Sequence, residues 1–158
     1  MAGPGVYLAG PSGFTEAGRR WHAEVLRPAV EAAGFVALDP WEAGADLFDT
    51  AFALADGPER LAALAHANRE AARRNVDLIR LAAAVLAVLD GTDVDSGTAA
   101  EIGYAAALGI PVVGLRTDLR VTGDNAATIV NLQVEFFLTA VCTEVEPAIA
   151  ELRRLTSP

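Results

Sequence analysis

The 158 residues carry a formal charge of −9, with 53% hydrophobic and 21% charged residues, a composition that suits a folded chain with a large apolar interior and excludes a disordered one. Every Lys/Arg position is arginine, which excludes a lysine Schiff base and a P-loop lysine, and the acidic balance excludes a nucleic-acid partner, whose phosphates need a clustered basic surface. A single cysteine, Cys142, leaves no internal disulfide and no thiol pair for a metal, and neither His22 nor His66 has metal-ligand spacing.

The length fits one domain, 1–158, around one core. The opening MAGPGVYLAG lacks the charged and long apolar regions of a signal peptide. No apolar run reaches the ~18 residues of a membrane span, so a cytoplasmic protein without membrane partners is expected. GVYLAG reads as a first strand stopped by Gly10-Pro11-Ser12-Gly13. Thr15 then caps a helix over 16–33 that ends at Gly34. FVALD (35–39) is a second strand, closed by Pro40. The stretch 41–57 mixes acidic and apolar residues and reads as a loop with a short helix. Pro58 opens a long helix to about Leu81. AAAVLAVLD is a continuous apolar run, as in a central parallel strand covered on both faces. A helix over 98–108 ends at Gly109, and a fourth strand follows over 110–115. The polar stretch 116–130 is a loop, and NLQVEFFLTAV and TEVEPAIAELRRL read as C-terminal helical segments.

Strands alternating with helices predict an α/β chain with a doubly wound parallel sheet of four to five strands flanked by helices, flavodoxin-like or Rossmann-like. Sites in such folds lie outside the carboxyl ends of the strands. Tyr7, Asp39, Asp90 and Arg116 fall in or just after strand ends, and the stretch DGTDVDSGTAAEIGY (90–104) places several carboxylates at one of them. Asp95 and Glu101 bracket a tight turn into a helix, where the N-terminal dipole and unpaired donors favour a charged carboxylate. An ionised, held carboxylate can attack an electron-poor anomeric carbon. Taken singly, Asp95 and Thr98 read equally as helix caps, Asp90 and Asp93 as turn residues, Tyr7 as core and Asn131 as an N-cap. Trp41, after Asp39-Pro40, either stacks on a ring or packs.

The stretch DGTDVDSGTAAEIGYAAALGIPVVGLRTDLR resembles the signature of the nucleoside 2-deoxyribosyltransferase family, with DSGTAAEIGYA at its centre. VYLAGPSGF resembles the family's opening strand and loop, and NLQVEFF its late asparagine-containing segment. The resemblance implies an enzyme needing no metal or organic cofactor that exchanges the base of 2′-deoxyribonucleosides. Glu101 is then the nucleophile that attacks C1′, Asp77 in RNVDLI handles the base proton, and Tyr7 positions the nucleophile. Asp95 binds the sugar hydroxyls, Asn131 enters the sugar site from a neighbouring subunit, and Gly10, Asp39 and Trp41 belong to the substrate site. A homo-oligomer is therefore expected, as it is from the apolar C-terminal segments. Partners are 2′-deoxynucleosides and free nucleobases.

Two other readings follow from the same residues. GPSGFTEAGRR sets glycines, Ser12 and two arginines beside a helix start, a cradle for a phosphate; it resembles the loop by which related 2′-deoxynucleoside 5′-monophosphate N-glycosidases hold their substrate, although Asp95 would repel that phosphate. A nucleoside-binding module without turnover is the third reading, against which stands the presence of Glu101.

Overall fold

The apolar runs form strands β1 (Gly5–Ala9), β2 (Val36–Leu38), β3 (Ala84–Val88), β4 (Val112–Leu115) and β5 (Ala140–Cys142) of one parallel sheet, ordered β2-β1-β3-β4-β5. The computed structural model describes residues 3–157; Met1, Ala2 and Pro158, the ends of the expected domain, lie outside the described residues. β3 is buried along its whole length and pairs with β1 and β4, which explains its unbroken apolar sequence. The order makes this the doubly wound, flavodoxin-like arrangement, whose chain reverses direction of winding between β1 and β3. A crevice therefore opens outside the carboxyl ends of those two strands.

Alternation along β1 assigns its side chains to two cores. Val6 and Leu8 face α1 (Glu16–Trp21), α2 (Arg27–Ala32) and, at the far end of the chain, a helix over Val145–Thr156. Tyr7 and Ala9 face the opposite layer, where they pack with Ile79, Ile102, Ala105 and Val130. The helices of the chain's middle are α3 (Pro40–Ala43), α4 (Asp49–Ala53), α5 (Pro58–Leu81) and α6 (Ser96–Ala107), followed by α7 (Leu132–Phe136) and α8, the Val145–Thr156 helix just given. Among the described residues no helix is long and apolar enough to cross a membrane.

Three local expectations change. The helix expected over 16–33 carries a π-helical turn, His22–Leu26, between α1 and α2. Pro28 has no N–H to give Glu24, and the Arg27 N–H bonds the carbonyl of His22 instead. The stretch 41–57 holds two short helices rather than one. The segment 131–141, expected as a helix, divides into α7 and β5; Thr139 donates its N–H to Val112 and starts the pairing with β4. Cys142 lies half-buried on β5.

Candidate active site

Helix α6 begins where the acidic loop ends, and Asp95 is its N-cap: Oδ2 accepts from the Thr98 N–H at 3.0 Å and from Thr98 Oγ1 at 3.2 Å. Glu101 comes a turn and a half later and projects toward β1. There the buried Tyr7 hydroxyl donates to Glu101 Oε1 at 2.6 Å, and Asn75 Nδ2 of α5 donates to the same oxygen at 3.4 Å. A strand and two helices thus converge on one carboxylate.

The helix dipole does not govern Glu101, since its field fades within the first turn. Burial pushes the Glu101 carboxyl above the usual carboxylate range and nearby Asp95 adds to the push, against the Tyr7 and Asn75 hydrogen bonds, which favour the ionised form. The expectation that the helix start stabilises a charged Glu101 is therefore corrected: its donors come from side chains, and the helix start serves Asp95. Burial together with Glu101 raises Tyr7 well above the ordinary tyrosine value, so its proton stays in the hydrogen bond.

Above Glu101 opens a cleft of about 390 Å³, a size suited to a small organic molecule. Phe14, Trp41 and Phe48 line one part of it, Ala71 and Asn75 another, and Asp95, Gly97, Thr98 and Glu101 a third. Trp41 is fixed from three sides. Its N–H donates to Asp39 Oδ1 at 3.0 Å, its indole N–H to the Gly10 carbonyl at 3.3 Å, and its ring meets Phe14 edge-on with centroids 4.9 Å apart. Gly13 allows this close fit, since a Cβ there would fall 2.2 Å from the Trp41 ring; a Cβ on Gly10 would instead fall 2.9 Å from Val88 Cβ on β3.

Asp39 does not line the cleft. It is buried behind Trp41, with Oδ2 at 2.7 Å from His22 Nε2. Burial alone would raise its carboxyl, but the His22 contact, the Trp41 N–H and Arg27 outweigh it and hold Asp39 below the usual range. The π-helical turn carries His22 to this position.

The remaining carboxylates of the acidic loop are structural. Asp90 accepts from the N–H groups of Thr117 and Asp118 at 2.6 and 2.9 Å and ties the loop after β3 to the loop after β4. Asp93 Oδ1 accepts from the Val94 N–H. Beneath them the buried Arg116 guanidinium donates to the carbonyls of Leu89, Gly91 and Arg120.

Asp77 is not brought to the site. Its carboxylate is half-exposed on α5 and faces Arg73 at 3.4 Å and Arg80 at 3.8 Å. Asn75 stands where an α5 residue meets Glu101, and it was absent from the expected site. Its signal was present: Ala67, Ala71, Asn75 and Ile79 recur every four residues on the inward stripe of α5, and Asn75 is the polar member. Asn131 caps α7, accepting from Gln133 and Val134, and lies outside the cleft of its own chain. Ser12 opens onto a separate hollow with Thr15, Asp90 and Thr117 on the other side of the first loop, and Arg19 donates to the Gly13 carbonyl.

The sequence profile described as nucleoside 2-deoxyribosyltransferase matches residues 6–136. No curated protein matches the chain. Solved structures share the fold. The 2-desoxiribosyltransferase from Leishmania mexicana is 27% identical at a TM-score of 0.66, covering 96% of this chain and 97% of that one. The 2-deoxyribosyltransferase from Bacillus psychrosaccharolyticus is 20% identical at 0.68, covering 94% and 95%. The CMP N-glycosidase of Clostridium botulinum is 16% identical at 0.52, covering 95% and 98%.

Proposed function

Because the chain belongs to the nucleoside 2-deoxyribosyltransferase family, we propose that it moves a 2-deoxyribosyl group from one nucleobase to another through a covalent ester on Glu101. The observation that carries this reading is the 2.6 Å hydrogen bond from Tyr7 to Glu101 Oε1 at the floor of an aromatic-walled cleft. Tyr7 and Asn75 both engage Oε1, which leaves Oε2 to attack C1′. The C1′–N bond breaks and its electron pair leaves with the base. A second base attacks the same carbon and returns the electron pair to Glu101, so two displacements give net retention.

The rest of the cleft suits a neutral nucleoside. Phe14, Trp41 and Phe48 offer faces and edges for the base, a contact worth about 1–3 kcal/mol per stacked base. Asp95 keeps Oδ1 for the sugar hydroxyls while Oδ2 caps α6. Asn131 belongs, in this reading, to the sugar site of a neighbouring copy in a homo-oligomer. Carboxylates and no cation line the cleft among the described residues, which favours a nucleoside over a 5′-monophosphate. Of the phosphate cradle of the hydrolase reading, Ser12 lines the separate hollow, Arg19 donates to the Gly13 carbonyl and Arg20 to Glu24.

Chromatography of the protein with 2′-deoxyinosine, with and without adenine, tests the proposal. Deoxyadenosine that forms only with adenine, together with a deoxyribosyl adduct in the intact mass that Glu101→Ala abolishes, is the expected result. Hypoxanthine released equally fast without adenine would make water the acceptor. Neither release nor adduct with any deoxynucleoside would leave a binding module.

A further inference from the structure

Breaking the C1′–N bond leaves a pair of electrons on the base, and the cleft limits how that charge is met. Helices α3 and α4, which flank the aromatic wall, pack against α5, and α5 presents Ala71 and Asn75 to the cleft. Asn75 donates a hydrogen bond from Nδ2, but an amide has no proton to give at ordinary pH. Asp95 and Glu101 are the titratable groups among the described residues of the lining. Glu101 is committed to C1′, and Asp95 to the helix start through Oδ2 and, in the proposed reading, to the sugar hydroxyls through Oδ1. Asp77 sits about 200° around α5 from Asn75 and is held by Arg73 and Arg80 on the outer face.

From this arrangement we infer that Asn75 determines base specificity: the departing base leaves as its anion, met by the second Nδ2 hydrogen of Asn75 while the first holds Glu101, and without an acid from the described residues of its own chain, so the enzyme selects bases whose anions are stable. The inference rests on the transferase reading of Glu101. In the forward half, the C1′–N pair moves onto the ring nitrogen as the Glu101–C1′ bond forms, and the freed base then takes a proton from water. In the return half, the incoming base loses its N–H proton to water and attacks C1′ with the resulting pair, while the Glu101–C1′ bond breaks. Atoms and charge balance without a co-reactant other than water.

The test uses the whole protein and a series of 2′-deoxynucleosides of substituted purines, ordered by the acidity of the free base. Rapid quench measures base release in the first turnover, which isolates C1′–N cleavage from the second half. Release is expected to fall across the series by about 10²–10⁴-fold, the range a positioned acid would otherwise supply. Asn75→Asp should speed the poorest leaving groups most, flatten the dependence and add an alkaline limb to the pH–rate profile. Asp77→Asn should leave the dependence unchanged. Equal rates across the series with the unaltered protein, or a steeper fall with Asp77→Asn, would overturn the assignment of Asn75 alone. Absence of release and of a Glu101 adduct from every member would remove the transferase reading and this inference with it.

Discussion

Glu101 has to be ionised to act as a nucleophile, yet it lies where burial favours its protonated form. Tyr7 and Asn75 offset that burial by donating to Oε1. Activity should therefore fall as pH drops through a Glu101 pKa that stands above the usual carboxylate range. Tyr7→Phe removes the shorter of the two bonds; hydrogen bonds to charged groups contribute about 1.5–3 kcal/mol, so kcat should fall by about 10- to 100-fold at neutral pH. The acid limb of kcat should also move to higher pH, because the carboxylate has lost a donor, while KM changes little. Matched pH–rate profiles of the two proteins check this, and an unmoved acid limb would contradict it. The same residue sets a stability effect of opposite sign. A folded pKa above the unfolded one means stability that is full below the unfolded pKa and lost as pH rises through the folded one. At neutral pH the ionised Glu101 thus weakens the fold. Glu101→Gln keeps an acceptor for Tyr7 without the charge, and should raise Tm at neutral pH by about 2–4 °C for each kcal/mol recovered. Thermal melts should show this gain shrinking toward acid pH, where both side chains are neutral.

Between residue and molecule stands the unit built by the π-helical turn, Asp39 and α3. His22 and Asp39 are both buried, and Asp39 caps α3 through Oδ1, which accepts the Trp41 N–H, while Oδ2 meets His22 Nε2. Asp39→Ala should cost about 1 kcal/mol for the cap and about 1–3 kcal/mol more for a buried His22 left without its partner. Denaturant unfolding measures that loss. Because Trp41 forms the aromatic wall, KM for the nucleoside should rise more than kcat falls; an unchanged KM would separate Asp39 from the substrate site. The Asp39 contribution to stability is present above its unfolded pKa and is lost as pH falls through its lowered folded value, so the difference between the two proteins should vanish only in strong acid. These elements also show what a sequence can and cannot disclose. β3 was legible because burial on both faces demands an unbroken apolar run. β5 was not, because no Gly or Pro separates it from the apolar residues of α7, as Gly34 and Pro40 bracket β2, and its pairing with β4 is a tertiary fact. The nucleophile candidate and its cap stood in one contiguous motif. Asn75 and Asp77 lie two positions apart on one helix, and choosing between them requires knowing which face of α5 meets the sheet. The four-residue recurrence through Ala67 and Ile79 holds that phase, whereas the resemblance of RNVDLI to the family's segment points to Asp77, on the outer face.

For the whole molecule, the stretch after β4 and helix α7 leave large apolar side chains in solvent, including Leu119 at 98% and Phe136 at 79% exposure, with Val121, Ile129 and Leu132 in the same part of the chain. In the proposed homo-oligomer, these side chains are where a second copy docks. Two copies each carrying −9 repel one another at long range, so association through this surface must rest on apolar burial, and a symmetric pairing brings the same patch from each copy together. Asn131 lies between Ile129 and Leu132 in sequence, so the proposed pairing puts it at that junction. Replacing Leu132 and Phe136 together by glutamate should therefore yield a monomer in light scattering and suppress transfer, while circular dichroism stays that of the folded chain. A monomer that retained full activity would exclude any need for a second copy. Shared sites make a sharper claim. Glu101→Gln and Asn131→Ala should each be weak or inactive alone, yet mixing them after dissociation should restore activity, because a mixed pair holds one site with both residues intact. Random exchange in a dimer gives up to about a quarter of the unaltered rate. No recovery, with mixed oligomers present by native mass measurement, would confine each active site to its own chain and leave Asn131 as the cap of α7.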